Sequence, residues 1–139
     1  MIRRATEADV EEIVAIFEPS FALLDFLPQL HTHEENLAYF ARALREGEGY
    51  VLGRGFALVS GDWLSHLYVH PDAIGTGVGH ALFEHVKTLR PGGFDFWVFQ
   101  QNARARQFYE EHGAVAVEFT DGSANEEKTP DVRYRWAPA

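Results

Sequence analysis

The chain has 139 residues, 46% apolar and 24% charged, which suits one domain over residues 1–139 with a core of its own. Twelve Lys+Arg against 21 Asp+Glu leave a net charge of −9, poor material for a phosphate-binding face, so no nucleic-acid partner is expected. Cysteine is absent, which excludes disulfides, zinc–thiolate sites and cysteine nucleophiles and fits a cytoplasmic location.

No signal-peptide core follows Arg3 and Arg4. Ile2 to Arg4 reads as a short strand. Thr6 then caps a helix, with Asp9 three residues on as a variant capping box. Val10, Ile13, Val14 and Phe17 form its apolar stripe, and Pro19 is expected to end it. Phe21 to Thr32 reads as an irregular apolar connection. Its apolar part, Phe21 to Leu30, is too short to span a membrane, and no membrane partner is expected. A second helix is predicted from about His33 to Arg45, with Leu37, Phe40, Ala41 and Leu44 inward. The glycines around Glu48 break it.

Strands follow at Tyr50–Leu52 and Phe56–Val59, joined by the hairpin signal Gly53-Arg54-Gly55. Trp63 to His70 reads as a longer strand and Pro71-Asp72 stops it. A helix from about Gly77 to Leu89 buries Val78, Ala81, Leu82, Val86 and Leu89. Phe94 to Phe99 is a strand. Asn102 caps a last helix that ends at His112-Gly113. Ala114–Thr120 and Val132–Trp136 are strands on either side of the polar loop Asp121–Asp131. The order implies a mixed α/β (α+β) sandwich around one sheet.

The most informative segment runs from Tyr68 to Leu82. A strand hands over to a helix through Gly75, Gly77 and Gly79. Glycines let the backbone approach a ligand closely. The first N–H groups of the following helix are unpaired and carry the positive end of its dipole. Together they suit a phosphate or pyrophosphate. The spacing G-x-G-x-G is neither the dinucleotide fingerprint nor a P-loop, since no Gly-Lys-Ser/Thr follows. The other reading is a tight turn with close helix packing. A second motif runs from Asn102 to Gly113. Asn102, Ala105, Phe108 and Tyr109 share roughly one helical face. Asn102 offers a cap or an amide, Ala105 leaves room, and Tyr109 brings a phenol. Phe108 reads as core.

With these two motifs the chain resembles the GNAT (GCN5-related) N-acetyltransferase family. The family's glycine-rich turn, Gln/Arg-x-x-Gly-x-Gly/Ala, maps to Ile74 through Gly79. Ile74 departs from it, standing where a polar or cationic residue is usual. The second motif, Asn-x-x-Ala-x-x-Phe-Tyr-x-x-x-Gly, matches throughout. The resemblance implies a mostly antiparallel sheet of about seven strands flanked by four helices, splayed between the fourth and fifth strands. It implies acetyl transfer from acetyl-CoA to an amine by direct attack. Leu67, Tyr68 and Val69 would lie along the cofactor's arm. Ile74, Gly75, Thr76, Gly77, Val78, Gly79 and His80 would surround the pyrophosphate. Asn102 and Ala105 would touch the cofactor, and Tyr109 would protonate the departing thiolate. Family members often pair, so a homodimer is compatible with it.

The acceptor amine must lose a proton. His66 is the first candidate for the base, because a histidine titrates in the useful range. Asp62 is the nearest carboxylate. His31 and His33 lie in the connection before the second helix, and Glu126 and Glu127 in the last loop. All four are candidates for the acceptor side. Metal binding finds little support. His66 and His70, four residues apart in a strand, stand roughly 13 Å from each other. Arg104 and Arg106 are candidates for the cofactor's phosphates. The first 50 residues hold 4 Arg against 10 Asp+Glu, which favours a cationic small-molecule or peptide amine. A solvated acidic helix face explains the same count. Two other readings stand beside the acetyltransferase: a non-catalytic acyl-CoA-binding module of the same fold, and a transferase for a longer acyl donor.

Overall fold

The computed structural model describes residues 1–139. Seven strands form one sheet: β1 (Arg3–Ala5), β2 (Glu48–Leu52), β3 (Gly55–Ser60), β4 (Trp63–Val69), β5 (Phe94–Phe99), β6 (Val115–Thr120) and β7 (Asp131–Trp136). Their spatial order is β1-β2-β3-β4-β5-β7-β6. Every neighbouring pair is antiparallel except β4 and β5. Those two run parallel and pair only at Trp63 and Asp95. Beyond that point they diverge, which is the splay expected between the fourth and fifth strands. No helix is long and apolar enough to cross a membrane.

Helices α1 (Val10–Ala22) and α2 (His33–Glu46) cover one face. Ile13, Val14 and Ile16 of α1 meet Phe40 and Leu44 of α2 over Val51, Phe56 and Leu58. Helices α3 (Val78–Leu89) and α4 (Ala103–Glu111) cover the other. There Leu82, Phe83, Val86 and Tyr109 pack on Phe94, Phe96, Val132 and Tyr134. Phe83 joins the buried stripe of α3 in place of the weakly covered Ala81.

Two helix starts obey the same rule. Asp9 Oδ2 accepts from the Thr6 N–H at 2.8 Å, and Glu35 Oε1 from the Thr32 N–H at 2.8 Å. Both are capping boxes, the second ahead of a helix start placed by periodicity alone. Pro19 does not end α1, which runs on to Ala22. Proline removes one helical hydrogen bond, a cost of ~3 kcal/mol. Packing offsets it. The Phe17 and Phe21 rings pack in a tilted pair at 5.2 Å across the proline. The buried Ser20 hydroxyl lies 2.6 Å from Ile16 O and 2.8 Å from Val69 O, tying this last turn to the end of β4.

Candidate active site

The splay opens onto two half-sites. The first is made of backbone. A 3-10 turn at Pro71–Ala73 follows β4, held by His70 Nδ1 accepting from the Asp72 N–H at 3.1 Å. Ile74 is extended and its side chain stands 39% exposed. Gly75 (φ +85°) and Gly77 (φ +89°) occupy the left-handed region that side chains disfavour. A Cβ on either would meet nothing within 4 Å. The demand for glycine is therefore conformational, not a matter of close packing, and the space beside the turn is open.

Gly77 begins α3 with no side-chain cap. The first bond of the helix runs from the Ala81 N–H to Gly77 O at 3.0 Å. The N–H groups of Val78, Gly79 and His80 are left without helical acceptors at the positive end of the dipole. That arrangement fits a phosphate group. The His80 side chain is engaged elsewhere, with Nδ1 2.8 Å from His112 Nε2, so its amide is what the cradle offers. Arg54, in the β2–β3 hairpin, reaches Asp72 at 3.2 Å and brings a cation beside the turn. In the sequence Arg54 carries only a hairpin signal.

The edge of β4 continues this half-site. The His70 N–H donates to Arg54 O at 2.8 Å, which fixes the alternation along the strand. Backbone groups of Tyr68 and His66 point to β3. Those of Leu67 and Val69 point to the splayed side. The Val69 carbonyl already accepts from Ser20, so the Leu67 backbone and the Val69 N–H are the groups open to a ligand strand.

Asn102 caps α4, with Oδ1 accepting from the Ala105 N–H at 3.2 Å. Its amide nitrogen makes no bond within the protein. Ala105 packs against the core below it. Arg104 is exposed, and Arg106 is turned to β7, with Nε donating to the Tyr134 hydroxyl at 3.0 Å and its guanidinium over Phe119. Arg106 therefore serves the α4–β7 contact rather than a phosphate. Tyr109 is 8% exposed, its ring packed on Phe96 at 4.4 Å and Phe83 at 5.4 Å. Its hydroxyl has no partner in the protein. Burial pushes the phenol pKa up, and the nearby Tyr68 hydroxyl adds to the rise, so Tyr109 is a protonated donor at neutral pH.

The second half-site is made of side chains. A cleft of about 510 Å³ lies between α1, α2, β4, β5 and the β6–β7 loop. Phe17, Phe21, Tyr39 and Tyr68 wall one part, and Trp97 and Phe99 another. Glu18, Glu35, Glu126 and Glu127 add negative charge. His66 lines it as well, with Nε2 2.8 Å from the Tyr39 hydroxyl and its ring against Phe40 and Tyr68. Burial pushes the His66 pKa down to about 4, so the ring is neutral at pH 7.

Two of the predicted acceptor-side residues come together here. His31 Nε2 lies 2.6 Å from Glu126 Oε1, joining the α1–α2 connection to the β6–β7 loop. His33 does not line the cleft. Its Nδ1 lies 3.0 Å from Glu18, which does. Tyr68 also departs from its expected setting: its backbone serves β3 and its side chain enters the cleft. Asp62 sits at the β3–β4 turn, outside the cleft. Sequence reasoning missed Glu18, Asn36 and Tyr39. Their one signal is position: Asn36 and Tyr39 lie about one and two helical turns past His33, and Glu18 adjoins Phe17.

Comparison with known proteins agrees with this geometry. An acetyltransferase (GNAT) domain model matches residues 32–113. The chain belongs to the GNAT acetyltransferase family. It is 34% identical over 120 residues to the peptidyl-lysine N-acetyltransferase YjaB of Salmonella typhimurium, spanning 81% of each chain. The Escherichia coli protein of the same name is 36% identical over 121 residues, covering 81% of this chain and 80% of that one. The solution structure of apo YjaB from Escherichia coli superposes with a TM-score of 0.79 at 28% identity, covering 100% of this chain and 98% of that one. In this GNAT chain the two half-sites meet where β4 leaves β5.

Proposed function

We propose that this acetyltransferase moves the acetyl group of acetyl-CoA to a primary amine, with the side chain of a peptidyl lysine as the acceptor class. The acceptor class is taken from the printed name of the Salmonella and Escherichia coli relatives. The observation that carries the reading is the divergence of β4 from β5 after Trp63 and Asp95. It leaves a free strand edge and an uncapped helix start on one side and an aromatic, acidic cleft on the other. Acetyl-CoA supplies the thioester carbonyl that the amine attacks.

The roles of the chain's own groups follow from their chemistry. The amides of Val78, Gly79 and His80 hold phosphate oxygens. Leu67 and Val69 offer backbone groups to the pantetheine arm, as a neighbouring strand would. Tyr109 donates a hydrogen bond, and then its proton, to the leaving sulfur, and regains a proton from water. The cleft draws in a cation through its four carboxylates and seats the alkyl stem on aromatic faces.

His66 is a base for only one of the two proton losses. An alkylammonium titrates near about 10.4, far above the value of about 4 at His66. Transfer between them is strongly uphill, so the acceptor enters the reaction already as the free amine. Once nitrogen has bonded to the acetyl carbon it becomes acidic, and a neutral imidazole is then basic enough to accept its proton.

The test is thiol release from acetyl-CoA with lysine peptides of varied sequence, beside thermal melts with acetyl-CoA, ADP and NAD. Turnover together with a melting shift specific to acetyl-CoA is the expected result. No shift and no turnover at millimolar acetyl-CoA would overturn the reading. Donors with longer acyl chains are run at the same concentration, and acetyl-CoA is expected to lead.

A further inference from the structure

We propose that the Tyr39 hydroxyl relays the acceptor's proton to His66, so that Tyr39 is a catalytic residue of this site and His66 the base behind it. This inference rests on the acetyl-transfer reading above. Three observations carry it. Tyr39 Oη and His66 Nε2 are 2.8 Å apart, a good hydrogen-bond length between two side chains from separate elements. Both residues line the same cleft, and Tyr39 is the more open of the two, 55% exposed against the half-buried histidine. The pair is also fixed in place. The Tyr39 ring meets His66 edge-on at 5.6 Å and Phe40 at 5.0 Å, while Phe40 meets His66 at 5.3 Å.

The surroundings keep both partners uncharged, as the relay requires. Burial, and the charges of Glu126 and Glu127 in the β6–β7 loop, keep the Tyr39 phenol protonated. The imidazole is uncharged, and no cation stands beside it. The relay uses the tautomer in which Tyr39 donates and Nε2 accepts, with the ring hydrogen of neutral His66 on Nδ1. The one ring nitrogen with a free lone pair is already occupied by Tyr39. An amine in the cleft reaches the base through that hydroxyl.

The step balances. The amine nitrogen forms a bond to the acetyl carbon, and the carbon–sulfur bond breaks with its electron pair on sulfur. An N–H bond of the new ammonium breaks and its proton goes to Tyr39 Oη. The original Tyr39 proton moves to His66 Nε2, giving an imidazolium, and is later lost to water. Tyr39 is never left as a phenolate. Its high pKa is then no obstacle, because the hydroxyl exchanges one proton for another.

The experiment compares the native chain with Tyr39→Phe, His66→Gln and the double variant, using acetyl-CoA and a lysine peptide. Phenylalanine keeps the ring against Phe40 and His66 and removes only the oxygen. Tyr39→Phe is expected to lower kcat by roughly 100-fold, in the range of general acid–base catalysis. The acetyl-CoA melting shift is expected to stay the same. The double variant is expected to be no slower than the slower single one, because two members of one relay are lost once. Nitrogen-15 spectra of the imidazole, taken without any substrate, give a second readout. They should show the Nδ1–H form in the native chain and a displaced Nε2 signal in Tyr39→Phe.

Full activity in Tyr39→Phe would overturn the relay and leave the acetyl-transfer reading standing. So would losses that multiply in the double variant, or an Nε2–H form in the native spectrum. A native chain that turns over no amine with acetyl-CoA would overturn the acetyl-transfer reading, and the relay with it.

Discussion

The two sides of the splay are built from different materials. On the proposed cofactor side the groups on offer are main-chain: the amides at the start of α3, the β4 edge at Leu67 and Val69, and the left-handed turns at Gly75 and Gly77. On the proposed acceptor side they are side chains from five separate stretches, Phe17–Phe21, Pro28–Phe40, Ser65–Tyr68, Trp97–Phe99 and Glu126–Glu127. A backbone site depends on conformation, so the proposed cradle should tolerate Ile74 where the family usually places a polar residue. A side-chain site depends on identity, so single substitutions there change what binds. On the proposed reading, the donor side makes general demands of the sequence and the acceptor side particular ones.

The largest expected effect tests where the two sides meet. Tyr109→Phe removes a hydroxyl with no partner in the protein and leaves the packed ring. We expect kcat to fall roughly 100-fold or more, with the melting temperature and acetyl-CoA binding unchanged. Steady-state kinetics beside a melt checks it. A fall in stability as large as the fall in rate would make Tyr109 a packing residue only.

The next effect concerns the acceptor side alone. Folding lowers the His66 pKa from about 6.5 to about 4. The unfolded chain therefore binds this proton more tightly than the native one. Stability from this group is complete above about pH 6.5 and is lost as pH falls toward 4, up to ~3 kcal/mol in all. Urea unfolding at pH 7, 5.5 and 4.5 should show that slope in the native chain and a flatter one in His66→Gln. Equal slopes would mean the histidine is well solvated. On the cofactor side Gly77→Val is expected to cost about 2 kcal/mol of stability, since a β-branched residue is forced to positive φ. It should also abolish the acetyl-CoA melting shift. A retained shift would break the claim that the cradle is conformational.

The same contrast decides what could be read from the chain before its structure. The glycine turn and the Asn102-capped helix were legible because they are written locally. Gly75, Gly77 and Gly79 adjoin a strand and open a helix, and Asn102 to Gly113 is one continuous motif. The strands were legible from alternation and turn residues, to within two or three positions. Pro19 was misread because its local cost is opposed by non-local packing, through Phe21 and the Ser20 bond to Val69 O. Tyr39 and Glu18 were not legible for the same reason. Each reads as an ordinary residue of an amphipathic helix, and only the approach of α1 and α2 to β4 brings them into one cleft with His66. Arg54 became notable only when the hairpin was seen to reach Asp72.

The smallest expected effect bears on how the cleft selects its amine. Glu18 is held by His33 Nδ1 at 3.0 Å and by the Asn36 amide at 2.9 Å. Burial raises its pKa, but the hydrogen bonds from Asn36 and His33 outweigh that and keep it below the usual carboxylate range. The carboxylate is thus ionised and fixed in direction at neutral pH. Glu18→Gln keeps the shape and removes the charge. A half-exposed carboxylate in water contributes modestly to attraction of a cation, so KM for a lysine peptide is expected to rise about fivefold, equivalent to about 1 kcal/mol. The kcat value should hold, because Glu18 touches neither His66 nor Tyr39. The effect should shrink as salt is raised, since screening weakens the native cleft and leaves the variant unchanged. A rise in KM that is independent of salt would show that Glu18 shapes the wall of the cleft and does not attract the amine through its charge.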